Sequence, residues 1–229
     1  MDQTTKDTKV TAEHIADNLT TAVHEHRVLP GMKLPEDDVG HAFGVGRTIA
    51  RQALRILAQD GLVTIERNRG AFVSRPSAKE AREVFEARAL LEPETARAAA
   101  ARITSSNFSI LERHIDEEHA ALARGDAGQA LRLSGQFHIE IARIADQATI
   151  EGFIRQLISR SSLVIAIYWQ RRSALCESHA HHALLDAFKA QDGAQANELM
   201  KGHLVDLLSK LDLSEQAPAP KNLREALMG

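Results

Sequence analysis

Apolar positions in the first sixty residues recur at helical spacing. Between Thr11 and Val28, the residues Ile15, Leu19, Ala22 and Val23 form one stripe, and Pro30-Gly31 stops it. A shorter pattern spans Glu36–Phe43 and closes on Gly44-Val45-Gly46. From Arg47 to about Gln59, the positions Ile49, Ala53, Ile56 and Leu57 share a face, and Asp60-Gly61 ends the run. Helix, short helix, turn, helix is the layout of a helix-turn-helix whose last helix is in recognition position. Two β-type runs follow, Leu62-Val63-Thr64-Ile65 and Ala71-Phe72-Val73, joined by the turn Glu66-Arg67-Asn68-Arg69-Gly70. A hairpin directly after this helix triplet predicts a winged helix.

Pro76-Ser77 reads as a linker, and the chain beyond it carries no strand signal. Helical patterns run over Ala78–Arg102, Ser106–Arg124, Asp126–Ala145, Thr149–Arg171, Glu177–Gln191 and Ala194–Leu211. Short breaks between them imply an antiparallel bundle. The expected fold class is mainly α. A winged helix-turn-helix occupies residues 1–76, an all-helical bundle residues 77–213, and a loosely held tail residues 214–229.

Composition changes this picture at one place. The 229 residues suit one large domain or two small ones, and the net charge of −3 gives no sign of an acidic partner. Yet from Arg47 to Arg75 there are six arginines (Arg47, Arg51, Arg55, Arg67, Arg69, Arg75) against two acids, Asp60 and Glu66. A local basic patch is the relevant footprint for nucleic acid, because phosphate contacts act over roughly a Debye length of about 8–10 Å. Arg47, Arg51 and Arg55 fall at i, i+4 and i+8 on one face, with Thr48 in the first turn. An arginine there can donate two hydrogen bonds to a guanine edge, and Thr48 can meet a base or phosphate. The wing tip would bring Arg67, Arg69 and the Gly70 backbone to phosphates or a minor groove. A solvated helix with scattered arginines is the bland alternative, and the surrounding helix-turn-helix pattern argues against it. Cys176 is the single cysteine, which excludes a disulfide framework and a multi-cysteine zinc site. With neither an apolar leader nor a long uncharged apolar run, the expected location is cytoplasmic, with no membrane partner.

The bundle carries a second candidate site. His138 shares an apolar face with Leu131, Ser134, Ile141 and Ala145; His181 with Leu184, Leu185 and Phe188; His203 lies between Leu199 and Leu207. One histidine on an apolar face is ordinarily a core residue bonded to a carbonyl or water. For three, each unmatched ring costs about 1–3 kcal/mol when buried, so convergence on one metal is the cheaper account. His179 and His182 share their face with Asp186 and are expected in solvent. Arg88 lies one turn before Glu92, and an ion pair on the helix surface is one reading of it.

At this point two patterns resemble a known family. Pro30-Gly31-Met32-Lys33-Leu34, Phe43-Gly44-Val45-Gly46-Arg47-Thr48, Arg51, Ala53-Leu54 and Asp60-Gly61-Leu62 through Arg69-Gly70-Ala71-Phe72-Val73 resemble the winged helix of GntR-family repressors. Phe85-Glu86-Ala87-Arg88, Leu91-Glu92-Pro93, Phe137-His138 and Met200-Lys201-Gly202-His203-Leu204 resemble the FadR-type C-terminal (FCD) domain of that family, in its six-helix, VanR-like group. The family usually has serine at Gly46, proline at Ile49 and glutamate at Gln52, so the resemblance carries over the binding mode but not an operator sequence. The resemblance implies Arg47 and Arg51 as main DNA readers, with Thr48 and Gly70 supporting. It implies His138, His181 and His203 as metal ligands, with an effector facing Arg88. The fourth ligand of the family is an aspartate, and its position here is Ser134, which removes one hard oxygen and one negative charge. Three imidazoles can still hold one divalent metal, Zn²⁺ or Ni²⁺.

The expected function is therefore a ligand-responsive DNA-binding regulator. It would be a repressor that binds a palindromic double-stranded operator as a homodimer and responds to a small organic acid. A metal-dependent hydrolase using the three histidines is the alternative, weakened because no acidic residue is placed as a general base beside the cluster, Ser134 standing at the expected carboxylate position, and because the winged helix would go unexplained. A structural DNA-binding protein without an effector is a third reading, opposed by the inward histidines.

Overall fold

The computed structural model describes residues 10–169 and 175–214, and the side chains there except those of 175–179. The expected tail beyond Ser214, the expected helix end at Arg171, and the side chains of Cys176 and His179 lie outside the described residues. Three helices, α1 (Ala12–His24), α2 (Glu36–Phe43) and α3 (Arg47–Gln59), precede a hairpin of β1 (Val63–Glu66) and β2 (Gly70–Val73). Among the described residues six helices follow: α4 (Ala78–Ala100), α5 (Ser105–Ala123), α6 (Ala127–Ile144), α7 (Ala148–Tyr168), α8 (Leu175–Lys189) and α9 (Gly193–Ser209). The fold is mainly α, a winged helix followed by a helical bundle.

Local chemistry places the first elements. The Thr11 side chain accepts a hydrogen bond from the His14 N–H and caps α1. Gly44 closes α2 at φ +66°, a left-handed conformation that glycine adopts without penalty, and so turns the chain into α3. Gly46 starts α3 without a side-chain cap. The buried stripe of α3 is Ala50, Ala53, Leu54 and Leu57. The sequence pattern instead put Ile49 and Ile56 on the inner face, and both are only half-buried. Small Ala50 and Ala53 let α1 pack closely on α3, which turns the two isoleucines outward by a fraction of a turn.

β1 and β2 pair antiparallel from Val63↔Val73 to Glu66↔Gly70, leaving 67–69 as the tip. The segment after α1 braces this wing: Leu34 N donates to Ala71 O at 2.8 Å, and Val73 N to Met32 O at 2.8 Å. Ser77, the second residue of the expected linker, is also the N-cap of α4, which begins at Ala78. It forms a reciprocal capping box with Glu80, which fixes the start of that helix.

In the bundle, α4 lies along α9 and α7, α5 packs on α6 and α8, and α8 on α9. Phe85, Phe137, Ile141, Leu184, Phe188 and Leu204 fill its centre. The winged helix docks through the C-terminal end of α1, which meets α6 and α7. The approach is close: a Cβ on Gly128 would stand 2.3 Å from the Glu25 carbonyl oxygen.

Candidate DNA interface and candidate metal and ligand centre

Arg47, Thr48, Arg51 and Arg55 are all exposed along α3, and Arg67, Arg69 and Gly70 are exposed at the wing tip. All seven predicted DNA-contacting residues thus lie at the surface of the winged helix. Acidic residues on α2 hold two of the arginines. Arg47 pairs with Asp37, and Arg51 donates two hydrogen bonds to Glu36 at 2.7 and 2.8 Å. Arg69 pairs with Glu66 and lies 5.3 Å from the Phe72 ring centre. The exposure of these pairs makes them weak, so a phosphate or base edge can replace the carboxylates.

In the bundle, α6, α8 and α9 deliver His138, His181 and His203 to one buried point, with one ligating atom of each within 4.8 Å of the others. His203 Nε2 lies 3.3 Å from His138 Nε2. Two buried carboxylates stand behind the rings. His138 Nδ1–H donates to Glu92 at 2.6 Å, and His181 Nδ1–H to Glu118 at 3.0 Å. A carboxylate only accepts, so it fixes the proton on Nδ1 and leaves the Nε2 lone pair facing inward. Among the described residues, His181 Nε2 is buried without a hydrogen-bond partner. A buried imidazole nitrogen with a bare lone pair, beside two more imidazoles, is what a divalent metal would satisfy. The donor set fits Zn²⁺ or Ni²⁺.

Electrostatics favour neutral rings at His203 and His138. Burial pushes His203 well below the usual histidine range, and the neighbouring His181 and His138 push the same way. Burial also lowers His138, although Glu92 opposes it. Burial alone would raise Glu92, but Arg88 and His138 outweigh it and hold the carboxyl down at about 2.

The Arg88–Glu92 ion pair exists, but it is not on the surface. Both side chains are buried, with Arg88 Nε 2.5 Å from Glu92 Oε1 and Nη1 donating to Ser161 at 3.2 Å. Two carboxylates that sequence reasoning did not bring to the cluster, Glu92 and Glu118, stand beside it. Each already accepts from an imidazole, so neither is placed as a general base. Ser134 is buried one turn before His138. Both line a cavity of about 30 Å³ together with Arg88, Arg132, Ser161 and His24, the last residue of α1. His182 is exposed and stacks on His119. Among the described residues no helix is long and apolar enough to cross a membrane.

Comparison with known proteins follows the same division. Residues 11–73 match the bacterial regulatory proteins of the gntR family, and residues 83–206 match the FCD domain. The chain is 28% identical over 167 residues to the Nta operon transcriptional regulator of Aminobacter aminovorans, covering 73% of this chain and 79% of that protein. It is 28% identical over 184 residues to the HTH-type transcriptional repressor RspR of Escherichia coli, covering 79% of each. A crystal structure of a putative transcriptional regulator GntR from Rhodococcus sp. RHA1 superimposes with a TM-score of 0.79 at 24% identity, over 90% of this chain and 99% of that one. E. coli McbR/YncC does so at 0.78 and 17%, over 86% and 95%. These relatives are regulators rather than enzymes, which removes the hydrolase reading. The chain belongs to the gntR family of bacterial transcriptional regulators, with a winged-helix DNA-binding domain followed by an FCD domain.

Proposed function

We propose that this regulator is a cytoplasmic repressor that binds a pseudo-palindromic operator as a homodimer. A small carboxylate, held in the bundle beside one divalent metal, Zn²⁺ or Ni²⁺, releases it from DNA. The observation that carries this reading is the buried convergence of His138, His181 and His203 beside a cavity lined by Arg88 and Ser134. Residues 1–76 read DNA, and residues 77–213 bind the acid and dimerise.

Arg47 and Arg51 reach base edges, Thr48 and Arg55 support them, and Arg67, Arg69 and Gly70 meet the backbone. His138, His181 and His203 would hold the metal, with Ser134 a weak or absent fourth partner. When bound, the metal supplies a Lewis-acidic point for a carboxylate oxygen. Glu92 and Glu118 keep two of the rings in the ligating tautomer, and Arg88 supplies positive charge to the cavity. Dimerisation is supported by Leu90 and Phe153, 76% and 54% exposed on the packed helices α4 and α7. The repressor E. coli RspR supports the direction of regulation.

Selection from a random duplex library with the full-length protein tests the reading. Enrichment of an inverted repeat with half-sites about one helical turn apart, released when zinc and a small carboxylate are added, is expected. Enrichment of no sequence, or retention that no carboxylate alters, contradicts it.

A further inference from the structure

The winged helix supplies part of the cavity wall. His24 lines the cavity with Arg88, Arg132, Ser134 and His138, and its Nε2 lies 3.3 Å from Ser159 Oγ on α7. The next residue, Glu25, accepts a hydrogen bond from Arg132 Nε at 2.9 Å, while Arg132 Nη1 donates to Gln136 at 3.0 Å. His26 Nε2 lies 3.0 Å from the Ser162 carbonyl. Three consecutive residues thus fasten the end of α1 to the bundle. Two of their partners, Arg132 and Ser162, line the cavity themselves.

Size decides what must move. A cavity of about 30 Å³ has room for about two or three waters, since about 10–15 Å³ of such volume is needed for each. An acid of the size of succinate or benzoate needs more room than two or three waters and does not fit without widening it. Arg88 and His138 are both tied to Glu92 and deeply buried. Between α6 and α7, a Cβ on Gly135 would stand 2.9 Å from Ile158, so those helices are already close. On the α1 side, His24, Glu25 and His26 are only half-buried and are held to the bundle through side-chain hydrogen bonds.

We propose that a carboxylate entering this cavity takes Arg132 from Glu25 and displaces His24, so that binding unfastens α1 and with it the winged helix. The acid is then read by both domains, with Arg132 as the arginine that recognises its carboxylate. The step exchanges one carboxylate partner of a guanidinium for another, so its local cost is small while its lever on the winged helix is direct. This rests on the reading of the bundle as a small-acid site.

The test uses the full-length protein with one equivalent of zinc and a set of probes: lactate, malonate, succinate, fumarate and benzoate. Calorimetry gives affinity, and hydrogen exchange follows residues 19–28. The tightest probe should raise exchange in 19–28. Arg132→Gln should weaken its binding about tenfold, the loss of one charge-assisted hydrogen bond. Glu25→Gln, which frees the arginine, should tighten it. Gly128→Ala, which forces the Glu25 backbone away, should raise exchange in 19–28 without any acid and also tighten binding. Circular dichroism and zinc uptake show that each variant is folded. If a probe binds while 19–28 keeps its protection, or Gly128→Ala binds it no more tightly, the inference is overturned and the small-acid reading stands. If no probe binds the wild type, the small-acid reading fails and takes this inference with it.

Discussion

The Nδ1 of His138 lies 2.6 Å from a carboxylate oxygen of Glu92, and both side chains are 2% exposed. Glu92 also holds Arg88, so one carboxylate orients a candidate metal ligand and neutralises a buried guanidinium. Glu118 performs only the first task, for His181.

Substituting each carboxylate by its amide separates these tasks. Glu92→Gln leaves Arg88 charged and unpaired, a loss of about 3–5 kcal/mol, and weakens zinc binding about 10–100-fold. Glu118→Gln should weaken zinc binding over the same range but cost only about 1–2 kcal/mol of stability. Urea unfolding and zinc competition titrations measure both. Equal destabilisation by the two variants would contradict the assignment.

Stability should fall in mild acid because of His24. Burial, aided by Arg132 and His26, lowers this histidine to about 4. Between its ordinary value near 6.5 and about 4, the unfolded chain binds a proton that the folded chain does not. The contribution is therefore complete above pH ~6.5 and is lost as pH falls through that window, by up to about 3 kcal/mol. Urea unfolding from pH 7.5 to 4.5 should show a shallower slope in His24→Gln than in wild type. Identical slopes would place the titration elsewhere.

If Arg47 and Arg51 read DNA as proposed, the acidic residues of α2 that hold them should compete with it. Arg51→Ala should remove a bidentate contact and weaken operator binding by about 1–3 kcal/mol. Thermal stability should hardly change, because the Arg51–Glu36 pair is largely exposed. Glu36→Gln should tighten binding. Anisotropy on the selected duplex, with a salt series, checks both; weaker binding by Glu36→Gln would mean that Glu36 positions Arg51 rather than competing for it.

Ser134→Asp returns a carboxylate to the buried position one turn before His138. Zinc should then bind at least about tenfold tighter, as one hard anionic ligand is added. Without metal the variant should be less stable, because the new charge is buried. Unchanged zinc affinity would show that Ser134 does not face the bound ion.

Much of this was legible in the sequence. The bounds of α2 and α3 follow from Pro35, Gly44, Gly46 and Asp60-Gly61, each of which interrupts a helical pattern. The three histidines stand out because a polar ring breaks an apolar stripe. Glu118 was hidden in the run Asp116-Glu117-Glu118, which reads as a solvated face. Its signal is positional: with Leu111 and Ile115 it completes a buried i, i+4, i+7 stripe. Glu92 sits similarly among buried Phe85, Arg88, Ala96 and Ala99 on α4. His24 could not be placed this way, because its burial comes from docking against α7, and helical spacing says nothing about how two domains meet.

The most direct test of the three-histidine centre is elemental analysis of tag-free, chelator-free protein beside His181→Ala. About one zinc or nickel per chain in the wild type, lost in the variant while circular dichroism is unchanged, is the predicted result. Metal-free wild type that also takes up no zinc at micromolar concentration would contradict it, leaving His138, His181 and His203 as hydrogen-bonding residues of the core.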